Sequence, residues 1–376
     1  MTKVSKKKKI KILYILPTLN ITGGIESYVI NYYLNFNDTI KADFIVHEIK
    51  DDYYKNIIES NGGNVYLMPK IGLKSLPKFL KELKLFFKAH HDYDIIHCNM
   101  ANAGLFYFNE ANKYNIPVKI IHSHQNAYAD TLSHSIRNVP LIKISVKMAN
   151  VNFACSKLAG DFLFNKKEYY IINNAINFDK FKYNQLHREK IRKQYNIKDS
   201  DFLIGNVGRL APQKNQLFLI DTMSELVKII PNSKLMIIGD GELKEQIENK
   251  IKENNLDKNV IMLNGKSNVN EYYSAFDCFV LPSIYEGLGF VNIEAQVCGL
   301  DVITSTGVPI EAKITDYLKY IDLNDGPKVW AEEIAKVHNT KRHELKKEIY
   351  DSGYDINKET KKLQELYFKL LEGEKE

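Results

Sequence analysis

The sequence predicts an α/β protein built from two doubly wound parallel sheets in tandem, and three observations carry that prediction. Short runs rich in Ile, Val and Leu, bounded by turn residues, recur along the chain with helical patterns between several of them, the rhythm of buried strands joined by helices. The rhythm stops at a polar, charged stretch, NFDKFKYNQLHREKIRKQYNIKDSD, and restarts with a fresh apolar run. At 376 residues and 44% hydrophobic content, the chain is too long for one ordinary core and suited to two.

In the first half, strands are expected at KILYILP, ADFIVHEI, NVYLMP, YDIIHCN, VKIIHSH, VNFACS and YIINNAI, with helices over Glu26 to Asn35 and Ser75 to Phe87. In the second half FLIGNVGRL, KLMIIGDG, VIMLNG, CFVLPS and DVITS alternate with helices over Leu217 to Ile230, Leu243 to Asn255, Val269 to Ala275 and after Gly289. The polar stretch marks the boundary, giving domains over residues 1–185 and 186–355, two sheets expected to face each other across a cleft. The tail, 356–376, carries Leu363, Leu366, Phe368 and Leu371 at helical spacing. Such a stripe should dock on one of the two cores.

Several classes are set aside. No apolar run reaches the length of a membrane span. The opening MTKVSKKKKIKILYILP has its apolar part interrupted by Lys11 and lacks a small-residue cleavage site, so it reads as a strand of a cytoplasmic protein. Cys98, Cys155, Cys278 and Cys298 are scattered without CxxC or zinc-type His spacing, which argues against a disulfide framework or a structural metal. Net charge is a modest +6. Lys6 to Lys9, and LKSLPKFLKELKLFFKAHH from Leu73 to His91, leave two readings: an ordinary solvated face with a solubilising tail, or docking on an anionic membrane surface. No nucleic-acid motif accompanies the charge, so no nucleic-acid partner is expected.

In open α/β sheets, ligands bind beyond the carboxyl ends of the strands, where helix N-termini offer free N–H groups to anions. Four stretches fit that place. In PTLNITGGIESYV a strand ends at Leu16 and Gly23 and Gly24 precede a helix, either a tight βα turn or a loop that lets a phosphate approach the backbone. NVGRLAPQKNQ delivers Arg209 and, five residues on, Lys214, either two surface cations or a clamp for a diphosphate leaving group. In YEGLGFVNIEA a loop carries Glu286, and a helix after Gly289, expected to turn Val291, Ala295 and Cys298 inward, carries Glu294 roughly 7 Å from its start. Two carboxylates thus straddle a helix N-terminus, placed to accept hydrogen bonds from vicinal hydroxyls at the two ends of a nucleotide sugar. In VKIIHSHQN, alternation puts His122 and His124 on one side, the one clear of the strand facing the cleft. The pair Asp92 and Asp94 in DYD leads straight into a strand and reads as its boundary, not as a metal-binding motif.

Taken together, GRLAPQKNQ, YEGLGFVNIEAQVCGLDVITS, TGGIESYV and HSHQN resemble a retaining glycosyltransferase of the GT-B fold, of the bacterial family 4 type that includes capsule and polysaccharide assembly enzymes. GVPIEAKITDYLKYIDLNDGPKVWAEEI resembles the exopolysaccharide branch. The resemblance implies transfer of a sugar, with retention, from a nucleotide diphosphate sugar, UDP favoured, to a hydroxyl of a glycan or lipid-linked acceptor, without cofactor or metal. It implies that Glu286 holds the donor sugar, Glu294 the ribose and Arg209 with Lys214 the diphosphate. Gly287, Leu288, Gly289 and Phe290 would form the surrounding loop, and Gly23 and Gly24 would close over the phosphates. His124 would lie beside the donor sugar, with His122 the second choice, and the terminal helix would cross back to the first domain. Acceptor contacts are expected over Asn99 to Leu105 and Asn126 to Asn138. Leu288 and Gly289 stand where many relatives have Phe and Pro, and no glycine pair follows Ser305, so the donor sugar stays open. A nucleotide-sugar epimerase of the same fold and a non-catalytic nucleotide-sugar or glycan-binding partner are the rival readings.

Overall fold

The computed structural model describes residues 9–20, 24–124, 132–165, 167–266 and 268–373. The chain divides into two compact units, Met1–Ile176 with Gly353–Glu376, and Asn177–Ser352.

The first unit runs β1 (Ile10–Leu16), α1 (Gly24–Asn35), β2 (Ile40–Val46), α2 (Tyr53–Ser60), β3 (Val65–Leu67), α3 (Leu76–Ala89), β4 (Ile95–Cys98), α4 (Gly104–Lys113), β5 (Val118–Ser123), α5 (Leu132–Met148), β6 (Val151–Ala154), α6 (Lys157–Phe164) and β7 (Tyr170–Ile171). The second runs α7 (Phe178–Phe181), α8 (Gln185–Gln194), β8 (Phe202–Val207), α9 (Gln216–Ile229), β9 (Ser233–Ile238), α10 (Lys244–Glu253), β10 (Val260–Leu263), α11 (Val269–Ala275), β11 (Cys278–Leu281), α12 (Phe290–Val297), β12 (Asp301–Ser305), β13 (Leu318–Ile321) and α13 (Gly326–Lys336), before α14 (Ile356–Glu372) returns to the first.

Each unit holds one sheet. The orders are β3-β2-β1-β4-β5-β6-β7 and β10-β9-β8-β11-β12-β13, and every strand pairs in parallel. Central strands such as β1 and β8 are buried on both faces, which is why they read as unbroken apolar runs. In both sheets the order reverses beside the first strand, between β1 and β4 and between β8 and β11. Such a switch point opens a crevice at the carboxyl ends of its two strands. The PTLN turn and Asn99 follow one pair, and Gly208 and Ser283 follow the other.

The division differs from the expected boundary at residue 185: α7 and the first residue of α8 also belong to the second unit. Arg188 and Arg192 on α8 are paired with Asp277 ahead of β11, and Phe181 packs on Tyr273 of α11. The polar composition of this stretch reflects helix faces turned to solvent, and its buried residues belong to the sheet that follows.

Helix α14 packs on the first unit. Its start pairs with Ile176 through Asp355, whose side chain caps the helix by accepting from the Asn357 N–H. Leu363 and Tyr367 are buried in the core with Tyr14 and Phe153, and Leu366, Phe368 and Leu371 lie partly buried against it.

Helix α3 changes one reading of the basic segment. Phe79, Leu83, Phe86 and Phe87 are buried in the first unit's core, so the apolar face that a lipid surface would take up is already covered. What remains outside is a row of lysines, Lys74, Lys78, Lys81, Lys84 and Lys88, with Leu73 and Leu85 exposed beside them. Among the described residues, no helix is long and apolar enough to cross a membrane. Strand β13 and helix α13 arise within residues 307–334, where the sequence pattern predicted no element. Asp92 and Asp94 sit at the amino end of β4, tied to the Lys11 ammonium (2.9 Å) and backbone N–H (2.8 Å) respectively.

Candidate active site

In the second unit, the loops after β8 and β11 are tied to each other. The Ile284 N–H donates to the Gln213 carbonyl at 2.8 Å, and the Gln213 amide donates to the Tyr285 carbonyl at 2.9 Å. A third loop joins through the Glu286 N–H, which donates to the Gly307 carbonyl at 3.0 Å. Between them Lys214 Nζ meets Glu286 Oε1 at 2.6 Å, and the Ser283 hydroxyl donates to the same oxygen at 2.6 Å. The side chains are 16% and 6% exposed, so this is a largely desolvated ion pair. Each partner compensates a charge that would be costly alone. The Lys214 stem lies over Gly208, its Cε 3.5 Å from where a Cβ would stand.

Helix α12 opens beside that pair. Its N-cap Gly289 adopts φ 75°, the left-handed region where a side chain would be strained, and a Cβ there would meet Asn292 Nδ2 at 3.1 Å and Glu286 Cγ at 3.4 Å. Gly289 supplies no side-chain cap; the Asn292 N–H donates to the Gly289 carbonyl at 2.9 Å, and the N–H groups of Phe290 and Val291 depend on a ligand or solvent. Gly287 is exposed with open space around it, and Leu288 and Phe290 are half-buried. Arg209 is exposed at the end of β8. Its carbonyl is held by the Gln216 amide at 3.0 Å. The inward face of α12 differs from expectation: Ala295 and Cys298 are buried, while Val291 is only half-buried and Asn292, Ile293 and Val297 take the core.

Glu294 lies on the next turn of α12. It accepts from the Tyr273 hydroxyl at 2.7 Å. Burial pushes its carboxyl up to about 7, against the opposing pull of that hydroxyl and of Lys180. Burial also raises the Tyr273 hydroxyl well above its ordinary range, and the Glu294 charge adds to it. The two glutamates are therefore held differently, Glu286 against a cation and Glu294 against a phenol.

In the first unit, His122 closes β5 with its ring 1% exposed. His124 stands just beyond the strand, half-buried, with its ring stacked on His122 at 4.1 Å and 22°. Tyr28 of α1 packs edge-on to both. Asn99, after β4, donates through Nδ2 to the His97 carbonyl at 3.3 Å. Its Oδ1 therefore faces His124 Nε2 at 2.8 Å, which fixes the proton on Nε2 and leaves Nδ1 as the acceptor. Burial pulls His124 down to about 3, so the ring is neutral in neutral solution.

Gly23 lies outside the described residues, as do residues 126–131 of the expected acceptor loop; residues 132–138 of that loop belong to α5. Gly24 is the first residue of α1, exposed and with open space around it. Two residues on, buried Glu26 accepts from the Thr18 hydroxyl. Glu26, His97, Lys180, Gln213, Tyr273 and Ser283 all escape sequence reasoning, and Asn99 was expected only among acceptor contacts. Only His97 left a trace there, as a polar residue inside the apolar run YDIIHCN.

The glycosyl transferases group 1 family matches residues 187–354. An uncharacterized glycosyltransferase, MJ1607, of Methanocaldococcus jannaschii is 30% identical over 281 residues, covering 67% of this chain and 68% of that protein. The chain belongs to the group 1 glycosyltransferases. The UDP-Gal:alpha-D-GlcNAc-diphosphoundecaprenol alpha-1,3-galactosyltransferase of Escherichia coli is 26% identical over 317 residues, 79% of this chain and 81% of that one. Among solved structures, Anabaena Alr3699/HepE in complex with UDP matches with a TM-score of 0.76 at 19% identity, over 95% of this chain and 99% of that one. The two Rossmann-like units are those of the GT-B fold.

Proposed function

We propose that this glycosyltransferase moves a hexose, with retention at the anomeric carbon, from a UDP-sugar to a hydroxyl of a glycan or lipid-linked acceptor in cell-surface polysaccharide synthesis. The observation that carries the reading is the Lys214–Glu286 pair beside the open end of α12, at the switch point between β8 and β11. A diphosphate at that helix end meets N–H groups and the positive end of the dipole. Arg209 is free to swing onto it, and Lys214 can share its charge between phosphate and Glu286 as the leaving group develops. The protein's own cations and N–H groups thus suffice for the charge of the departing nucleotide, so the reaction is proposed to need no metal. Glu286 then accepts from hydroxyls of the sugar and Glu294 from those of the ribose, while His124 offers Nδ1 to a hydroxyl during transfer.

The donor follows the UDP bound by HepE and the UDP-Gal named for the Escherichia coli relative, and the lipid-linked acceptor follows that relative's diphosphoundecaprenol substrate. Attraction to an inner membrane surface would rest chiefly on charge, since the outer side of α3 is mostly lysine with Leu73 and Leu85 exposed beside it; flotation with anionic vesicles that ignores salt would count against it.

A thermal-shift screen against nucleotide sugars, wild type beside Glu294→Ala, tests the donor site. One UDP-sugar should raise Tm in the wild type by mass action and far less in the variant. Incubating that sugar without acceptor separates the rival: an epimerase would return a new nucleotide sugar, a transferase at most free nucleotide and sugar. No shift with any nucleotide sugar overturns the reading.

A further inference from the structure

The last carbonyls of a helix have no partner within it, and at the end of α11, the helix that supplies Tyr273 to Glu294, three arginines provide the donors. Arg188 and Arg192 donate through Nη1 to the Ala275 carbonyl at 3.1 and 3.0 Å. Arg342, in the segment that follows α13, donates through Nη2 to the carbonyls of Ser274, at 3.1 Å, and Phe276, and through Nη1 to that of Tyr273 at 3.4 Å. Of the three, Arg342 also reaches a second helix: Nη1 donates to the carbonyl of Cys298, the C-cap of α12, at 3.1 Å. Its guanidinium lies over the Tyr183 ring at 4.6 Å.

A guanidinium is planar and its N–H directions are fixed, so a fork that meets two helices fixes one against the other. The two residues it grips stand directly behind the buried pair of the donor site. One is Tyr273 itself, whose hydroxyl donates to Glu294 at 2.7 Å. The other is Cys298, whose N–H donates to the Glu294 carbonyl at 3.0 Å. The segment that carries Arg342 is itself anchored at the amino end of β12. The Thr340 hydroxyl and His343 Nε2 meet the Asp301 carboxylate at 2.6 and 3.1 Å, and the His343 N–H donates to the Gly299 carbonyl at 2.9 Å. Gly299 has φ 75°, and a Cβ there would stand 2.1 Å from the His343 carbonyl oxygen, so that close approach requires glycine.

We propose that Arg342 is a positioning residue: by joining the carboxyl ends of α11 and α12 it holds the Tyr273 hydroxyl on the Glu294 carboxylate and so sets that carboxylate for the nucleotide. The inference rests on the reading that Glu294 takes the donor's ribose. It gives residues 340–343 a part in donor binding from the amino ends of the strands, the end of the sheet remote from the ligand.

The test is calorimetry with UDP on the full chain, read across pH. Arg342→Lys keeps a cation at both helix ends but lacks the planar fork. Its UDP affinity above pH 7 should fall roughly tenfold, with urea melts checking that it is folded. The rise of affinity that comes with ionisation of Glu294 should also move to higher pH. The Tyr273 hydroxyl and Lys180 are the groups that favour its carboxylate against burial, and Arg342→Lys displaces the first of them. The phosphates of UDP titrate alike in every variant, so a moved midpoint belongs to the protein. Tyr273→Phe should reproduce both changes, and adding Arg342→Lys to it should cost nothing further. Arg188→Lys alters the same end of α11 without touching α12 and should bind UDP as the wild type does. An unmoved midpoint in Arg342→Lys, additive losses in the double variant, or an equal loss in Arg188→Lys would each overturn the inference. Wild-type affinity in Glu294→Gln would instead overturn the reading on which it rests.

Discussion

The two units share a parallel, doubly wound plan with the same reversal of strand order, yet they furnish their strand ends with opposite electrostatics. The second gathers Arg209, Lys214, Glu286 and Glu294 around the open end of α12, with an ion pair at 2.6 Å. The first gathers His97, His122, His124, Tyr14, Tyr28 and Tyr367, aromatic groups that burial keeps neutral. The difference teaches that this topology supplies a place for chemistry but does not choose the chemistry. A charged set suits a dianionic leaving group; a neutral, oriented set suits the uncharged hydroxyls of sugars.

If the charge of the second unit is what matters there, removing it without changing shape should have the largest effect. Glu286→Gln is nearly isosteric but leaves the Lys214 ammonium largely buried without its carboxylate. Activity, read as nucleotide release, should fall roughly 10²- to 10³-fold in kcat/KM, and urea melts should show a loss of about 3 kcal/mol. Lys214→Met combined with Glu286→Gln removes the stranded charge and should recover most of the stability with none of the activity. Recovery of both would mean that the pair serves the fold only.

Glu294 sharpens the contrast, because it is the one carboxyl of the second unit's set held as the first unit's groups are, by burial and a tyrosine. Its carboxyl is raised from 4.5 to about 7, so the native state keeps a proton that the unfolded chain has released. The penalty for ionising it grows as pH rises from 4.5 to 7 and is complete above 7. Glu294→Gln should therefore match the wild-type Tm near pH 4.5 and exceed it above pH 7. Donor binding should go the other way. Hydroxyls are better accepted by a carboxylate than by a carboxyl, so wild-type affinity, measured by calorimetry, should rise as pH passes 7 by roughly 10- to 50-fold. The variant should bind weakly and without that rise; a flat wild-type profile would separate Glu294 from the ribose.

How much of this could be read from the sequence follows the same division. The strands were legible because both faces are buried, and the charged site was legible because Arg209, Lys214, Glu286 and Glu294 lie near strand ends in short, glycine-marked loops. What brings Lys214 onto Glu286 was not legible, since 72 positions separate them and the contact depends on β8 and β11 being neighbours in the sheet. The first unit's buried hydrogen bonds, from Tyr14 to Tyr367, Tyr367 to His97 and His97 to His122, were harder still. These residues come from three strands and a helix at the far end of the chain, and a tyrosine in an apolar run reads as core. The stripe of α14 could be seen to dock, but nothing in its spacing marks the one hydroxyl among its buried groups that meets a histidine. The basic helix shows the converse failure: lysines beside phenylalanines look the same whether the rings face lipid or, as here, the protein's own core.

The smallest expected effect lies in the first unit, where the change is a single proton. Asn99 presents a neutral oxygen to His124 Nε2–H at 2.8 Å, and burial keeps that imidazole down at about 3. Across the neutral range, then, His124 does not titrate and should leave no mark on the pH–rate profile of the wild type. Asn99→Asp keeps an oxygen at the same place but gives it a charge, which favours the imidazolium and raises His124 toward the ordinary histidine range. A protonated ring has no lone pair on Nδ1, so activity should fall as pH drops through the new value, while near pH 8 the variant should lose no more than roughly fivefold in kcat. An acid limb that appears in Asn99→Asp and vanishes again when His124→Gln is added assigns the titration to this ring. The same limb surviving in the double variant would assign it to the new carboxylate itself, and the neutrality of the first unit would then be a matter of packing alone.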